Sequence, residues 1–144
     1  RGIIVRLLRE EGFDVSATAS GWTALVMVRR KPFDLLIADI LLPDGLDGLE
    51  VAKCARLERP SLRCLFVSGR SQAVTDDPER DDFVCKPFRR HELLGCVWEL
   101  LHRRVAPRPL GWEARQAERT LLAAEINCRR KKLLAGRRAR RASR

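Results

Sequence analysis

Three short apolar runs, each ending on a polar residue, constrain the fold of this chain more than any other feature. Leu35-Leu36-Ile37-Ala38 ends at Asp39, Leu62 to Val67 ends at Ser68, and Phe83-Val84-Cys85 ends at Lys86. Runs that are apolar at successive positions, broken here only by Arg63 near the start of the second, belong to strands covered on both faces, as in parallel sheets, because a strand with one wet face alternates instead. The intervening segments have helical spacing. Gly21 to Arg30 reads as a helix stopped by Lys31-Pro32, and Leu46 to Leu57 follows the turn-rich Pro43-Asp44-Gly45 and ends before Pro60. His91 to His102 puts Leu93, Leu94, Val97, Leu100 and Leu101 on one side. Residues 1–11 read as an amphipathic helix closed by Gly12, and Phe13 to Ala17 as a short alternating strand. Residues 69–82, rich in Asp and containing Pro78, predict a loop with at most a short helix.

This alternation predicts an α/β fold: a doubly wound parallel sheet joined by right-handed crossovers, with helices on both faces. Chemistry in such sheets gathers at the carboxyl ends of the strands. Asp39, Ser68 and Lys86 would therefore share one rim. An Asp nucleophile beside a hydroxyl and an ammonium suits a site that forms an acyl phosphate, the cationic and hydroxyl groups stabilising the oxygens of the incoming phosphoryl group. Taken singly, Asp39 reads as a loop cap, Ser68 as a turn residue and Lys86 as a helix lead-in; only their joint placement points to chemistry.

That order of residues resembles the receiver domain of bacterial two-component response regulators. The resemblance runs over residues 1–104 and rests on Asp39-Ile40-Leu41-Leu42-Pro43-Asp44-Gly45 with Leu46-Asp47-Gly48-Leu49-Glu50, on Val67-Ser68-Gly69, and on Lys86-Pro87-Phe88 with Glu92-Leu93. It implies a flavodoxin-like fold in which Asp39 takes a phosphoryl group from a histidine kinase or phosphotransfer protein, Lys86 pairs with the phosphate and Ser68 moves toward a phosphoryl oxygen. Phe83, three residues before Lys86, stands where the family has its switch aromatic; the plain alternative is a core residue. The resemblance also implies Mg2+ at the site. Of the family's ligands the chain supplies Asp39 and the Leu41 backbone carbonyl, while the first strand and the acidic pair that follows it would precede Arg1. Mg2+ binding by this chain is accordingly expected to be weak or absent, and the Phe13 to Ala17 strand and one edge of the Leu35 strand to lack a partner. Residue 1 also falls inside a helical pattern with no capping residue before it, so the chain reads as part of a longer product.

Two other readings use the same residues. A degenerate receiver that takes no phosphate could act purely as an interaction module. An aspartate-nucleophile phosphohydrolase would want a second acid two residues after the first, where this chain has Leu41.

Charge divides the chain. Residues 1–102 hold 15 Lys+Arg and 16 Asp+Glu, net −1, and residues 103–144 hold 14 and 3, net +11. The basic excess thus belongs to the C-terminal segment. Residues 105–111, with Pro107 and Pro109, read as a linker, and residues 112–144 as a basic tail that is either helical or disordered. Arg129, Arg130, Lys131, Lys132, Arg137 and Arg138 could hold nucleic acid in a salt-sensitive, sequence-blind way, or could be a solvated charge run. Ala114, Ala117, Leu121, Ala124 and Cys128 are spaced to permit helix pairing, which leaves a homodimer open. A full helix-turn-helix output domain does not fit in the roughly 40 residues available.

The five cysteines are odd in number and form no C-x-x-C pair, which favours buried reduced thiols over a zinc site or disulfide framework. No apolar run is long enough to span a bilayer and no secretory signal is evident, so the expectation is a cytoplasmic protein without membrane insertion. His91 and His102 read as surface residues, and Trp22 and Trp98 as facing the core or its rim.

Overall fold

The computed structural model describes residues 2–42, 46–69, 75 and 77–105. The chain divides after Pro107, and every described residue belongs to the first part. The linker beyond residue 105 and the basic tail lie outside the described residues.

The elements follow one another as α1 (Gly2–Glu10), α2 (Gly21–Arg30), β1 (Leu35–Asp39), α3 (Gly48–Glu58), β2 (Arg63–Ser68), β3 (Asp81–Cys85) and α4 (Arg90–His102). Local chemistry sets most of their ends. Gly12, at φ 85°, closes α1 in the left-handed conformation that glycine adopts without strain, its N–H donating to the Arg9 carbonyl at 3.0 Å. The Ser20 hydroxyl caps α2 by accepting from the Thr23 N–H at 3.3 Å. At α3 the Asp47 carboxylate accepts from the Glu50 N–H at 2.7 Å and the Glu50 carboxylate from the Asp47 N–H at 3.0 Å, a capping box. That box places the start of α3 at Gly48, two residues later than hydrophobic spacing alone predicts.

The three strands form a parallel sheet in the order β1-β2-β3, with Leu35 opposite Arg63 and Cys64 opposite Asp81. Helices cover both faces. On one, Leu65, Val67 and Val84 pack with Leu7 and Leu8 of α1 and with Leu93, Leu94, Val97 and Leu100 of α4. On the other, Ala38, Cys64 and Phe66 pack with Val28 of α2 and with Ala52 and Ala55 of α3. The continuous apolar run in β2 is explained by this: alternate residues enter opposite cores, and Cys64, Leu65 and Phe66 are fully buried. Truncating Phe66 to Ala would cost about 3–5 kcal/mol, from lost transfer energy and the cavity left behind.

Among the described residues the sheet ends at β1, whose Leu35, Leu36 and Ile37 are only half-buried. The strand expected at Phe13 to Ala17 does not form. Among the described residues nothing pairs with that segment along its length, and an extended chain without a ladder is not a strand. It is held instead by the Arg9 guanidinium donating to the Val15 carbonyl at 3.1 Å and by the Phe13 ring against Trp98, centroids 5.2 Å apart. Trp22 also departs from expectation. Gly21 and Val28 face the core from α2, which turns Trp22 outward at 59% exposure. Among the described thiols only Cys64 is buried: Cys54 and Cys96 are half-buried, and Cys85, at the very end of β3, is exposed.

At the amino ends of the strands lies a buried ionic cluster. The Arg56 guanidinium of α3 binds both carboxylate oxygens of Asp81, and its Nε donates to the Leu62 carbonyl at 2.9 Å. Asp77 adds a second carboxylate 3.8 Å from Arg56, and the Thr75 hydroxyl donates to Asp81. Burial works against the Arg56 charge, but the bond and charge of Asp81 outweigh it and its pKa is raised. Burial also pushes the Cys64 thiol up to about 12.

Candidate functional site

Asp39 is the last residue of β1 and Ser68 the last of β2, and Lys86 directly follows β3. The register sets Asp39 opposite Val67 and Ser68 opposite Cys85, so the three strand ends finish within a residue of one another. The three polar residues picked out by sequence therefore share the carboxyl rim of one sheet. The Lys86 ammonium forms an ion pair with Asp39 Oδ2, and the Lys86 N–H donates to the Ser68 carbonyl at 2.7 Å. Asp39 Oδ1 accepts from the Leu41 N–H at 3.2 Å. Both side chains of the pair are partly open to solvent, Asp39 at 39% and Lys86 at 43%.

The backbone around Asp39 is tightly fixed. The Ile40 N–H donates to the Val67 carbonyl at 3.3 Å, and the Gly48 N–H donates to the Ile40 carbonyl at 3.0 Å. A side chain at Gly48 would bring its Cβ to 2.4 Å from the Asp39 carbonyl oxygen, so only glycine lets α3 start this close to the rim. Leu41, two residues beyond Asp39, is 81% exposed. Phe83 is half-buried with its ring stacked on Phe66, centroids 5.2 Å apart and 29° between planes. Its side chain thus lies on the α2 and α3 face of the sheet.

A carboxylate that is reachable from solvent, held by its backbone and neutralised by one ammonium can attack an electrophilic phosphorus while the cation steadies the charge on the phosphoryl oxygens. The span that matches known proteins includes Asp39, Ser68 and Lys86. The response regulator receiver domain family matches residues 1–97. This chain belongs to that family. The transcriptional regulatory protein TcrA of Mycobacterium tuberculosis is 38% identical over 119 residues, covering 78% of this chain and 46% of TcrA. The chain thus spans about half the length of that relative. Among solved structures, the response regulator TrrA of Thermotoga maritima in complex with Mg2+-BeF aligns with a TM-score of 0.61 and 30% identity, over 69% of this chain and 87% of that one. The receiver domain of sensor histidine kinase PA1611 of Pseudomonas aeruginosa, with a magnesium ion coordinated in its active-site cleft, aligns with a TM-score of 0.56 and 25% identity, over 69% of this chain and 86% of that one.

The receiver reading raises the question of Mg2+, toward which the described residues offer the Asp39 carboxylate and the Leu41 backbone carbonyl. Mg2+ demands near-octahedral oxygen coordination. Among the described residues no cluster of three His, Cys, Asp or Glu side chains could hold a metal ion. Asp39 brings one carboxylate, whose Oδ2 meets the Lys86 ammonium and whose Oδ1 accepts from the Leu41 N–H, each oxygen keeping a second lone pair.

Other sequence expectations fall elsewhere. His91 and His102 sit near the two ends of α4 and are exposed, with the His102 Nδ1 at 2.8 Å from the Trp98 carbonyl. Arg129, Arg130, Lys131, Lys132, Arg137 and Arg138 lie outside the described residues. What the sequence reading missed is the supporting role of Asp47, Gly48 and Glu50. The signal was present: an Asp followed three residues later by Glu is a capping box, and the Gly between them marks a close approach. Arg56 gave no such signal, since a basic residue late in a helix ordinarily serves the helix dipole at the surface.

Among the described residues no helix is long and apolar enough to cross a membrane.

Proposed function

We propose that this receiver is a phosphoacceptor in a two-component relay, with Asp39 as the residue that takes the phosphoryl group. The observation that carries the reading is the direct Asp39–Lys86 ion pair on the rim that Ser68 shares. An Asp39 oxygen attacks phosphorus, the bond to the donor histidine nitrogen of a kinase or phosphotransfer protein breaks, and that ring, carrying a proton on its other nitrogen, leaves as neutral imidazole. Lys86 then exchanges a carboxylate for a phosphoryl oxygen, and Ser68 supplies a hydroxyl donor beside it. Adding about −1.5 to −2 charge draws both groups inward. The half-buried Phe83 ring, three residues before Lys86 on β3, responds to that movement. A partner that prefers the altered surface reads the signal as a population shift.

The receiver module on this reading comprises residues 1–104, followed by the 105–111 linker and the basic 112–144 tail, in a cytoplasmic protein whose own chemistry is limited to gaining and losing phosphate. The tail is a separate element that can hold nucleic acid without reading its sequence, by the charge of +11 over residues 103–144. Removing residues 107–144 should then abolish retention on heparin at low salt and leave phosphate uptake intact; equal retention by the shortened chain would move the nucleic-acid element elsewhere.

The decisive experiment is intact-mass measurement after exposure to a small phosphodonor or a histidine kinase. The wild-type chain gains one phosphoryl group and Asp39→Asn gains none. Equal uptake by both would remove Asp39 from the role and return the module to an interaction domain.

A further inference from the structure

The backbone that follows Asp39 is held from two sides. The Ile40 N–H donates to the Val67 carbonyl of β2 at 3.3 Å, and the Ile40 carbonyl accepts from the Gly48 N–H at 3.0 Å. Leu41 pairs with Asp47 in a single antiparallel bridge, and a Cβ at Gly48 would strike the Asp39 carbonyl oxygen. Residues 40 and 41 are thus pinned between a strand and the first turn of α3. From that fixed backbone the Leu41 N–H reaches Asp39 Oδ1 at 3.2 Å.

We propose that Asp47 is a positioning residue for the acceptor, acting through Gly48 and Leu41 to set the rotamer of the Asp39 carboxylate. The proposal rests on the phosphoacceptor role given to Asp39 above. The Asp47 carboxylate accepts from the Glu50 N–H at 2.7 Å and the Glu50 carboxylate from the Asp47 N–H at 3.0 Å, so the helix start is fixed by two bonds. The Gly48 N–H, in the first turn and without a partner inside the helix, is fixed with it and goes to Ile40. Loosening the cap lets the first turn fray and releases Ile40 and Leu41. The Asp39 side chain can then turn about its own bonds. Attack on phosphorus needs a carboxylate oxygen in line with the leaving group, and a misplacement of about 1 Å can cost on the order of a hundredfold in rate. A cap that served α3 alone would change stability and leave that rate as it is.

The test follows phosphate uptake by the full chain from acetyl phosphate, at one Mg2+ concentration and at a temperature where every variant is folded. An Asp39 oxygen bonds to phosphorus as the bond from phosphorus to the acyl oxygen breaks and acetate leaves. Asp47→Ala removes the oxygen of the cap, whereas Asp47→Asn keeps an oxygen there without the charge. Val97→Ala, in the buried core of α4, costs stability without touching the cap. Asp47→Ala is expected to take up phosphate about tenfold more slowly than wild type. Asp47→Asn and Val97→Ala are expected to stay within about twofold of it, since Asn and Asp cap helices about equally well. In the unphosphorylated protein the Leu41 amide of Asp47→Ala is expected to exchange with solvent about tenfold faster, read by NMR. Wild-type uptake in Asp47→Ala would overturn the proposal. So would equal slowing in Val97→Ala, which marks a general loss of stability, or in Asp47→Asn, which marks an effect of charge. If wild type itself takes no phosphate, the phosphoacceptor role fails, and the Leu41 exchange then decides alone: an unchanged rate in Asp47→Ala overturns the positioning role and a faster one sustains it.

Discussion

The sheet carries an acid–base pair at each end, and the two pairs are opposites in everything but charge. At the amino rim Arg56 and Asp81 are 6% and 1% exposed and locked together on two oxygens. At the carboxyl rim Lys86 and Asp39 are 43% and 39% exposed and joined through one. Strand β3 links the two, since Asp81 opens it and Lys86 follows its end. A buried pair has given up its water and cannot be separated without leaving a bare charge in low dielectric. An exposed pair has water as an alternative partner for each member, so it can be opened and re-formed around a third group. The first arrangement fixes a strand, and the second suits a site that must exchange partners.

The largest expected effect breaks the buried pair. Arg56→Ala leaves the buried Asp81 with the Thr75 hydroxyl but without the guanidinium that balances its charge, and should cost about 3–5 kcal/mol in denaturant unfolding. Replacing both members by apolar residues of similar size, Arg56→Met with Asp81→Leu, should recover most of that loss. A small penalty in the single variant would show that the buried rim is no more dependent on its pair than the exposed one.

Cys64 extends the contrast to alkaline pH. Its folded thiol, buried at the same rim, keeps its proton to about pH 12 against an ordinary value of 9.0, so the unfolded chain releases a proton first. Stability should therefore fall as pH rises from 9 towards 12, by the loss of one proton on unfolding, and this extra loss should vanish in Cys64→Ala. Parallel alkaline profiles for the two proteins would mean that the thiol does not couple to folding.

At the open rim the expected effects are kinetic. Leu41 stands two residues from Asp39, the proposed acceptor, and its side chain offers no hydrogen bond with which to orient a hydrolytic water. Leu41→Asn should speed loss of phosphate by about tenfold, or roughly 1.4 kcal/mol of barrier, followed after removal of the donor. Unchanged or slower decay would leave Leu41 as a packing residue of its loop.

The smallest effect is on stability at the same rim. Asp39→Asn should change unfolding free energy by less than about 1 kcal/mol, since an exposed pair contributes little. A loss approaching that of Arg56→Ala would erase the distinction between the two rims.

The amino-acid sequence by itself determined a good deal here. Apolar runs ending on Asp39, Ser68 and Lys86 point to a parallel sheet with these polar residues on one rim, because a strand covered on both faces is apolar at successive positions and parallel strands finish on the same side. Helix ends were equally legible wherever a side chain or a glycine makes a local bond, as at Gly12 and Ser20. Only the tertiary structure decided what depended on distant partners. Phe13 to Ala17 has the alternation of a strand, but a strand exists only when another chain segment pairs with it, and among the described residues none does. Trp22 and Val28 lie on the same helix, and nothing in their own chemistry says that Val28 meets the core while Trp22 meets solvent. Arg56 and Asp81 are 25 residues apart and become one buried unit only when α3 packs beside β2 and β3. Local rules act through bonds between near neighbours and can be read from order alone, whereas burial and long-range pairing depend on which surfaces the folded chain brings together.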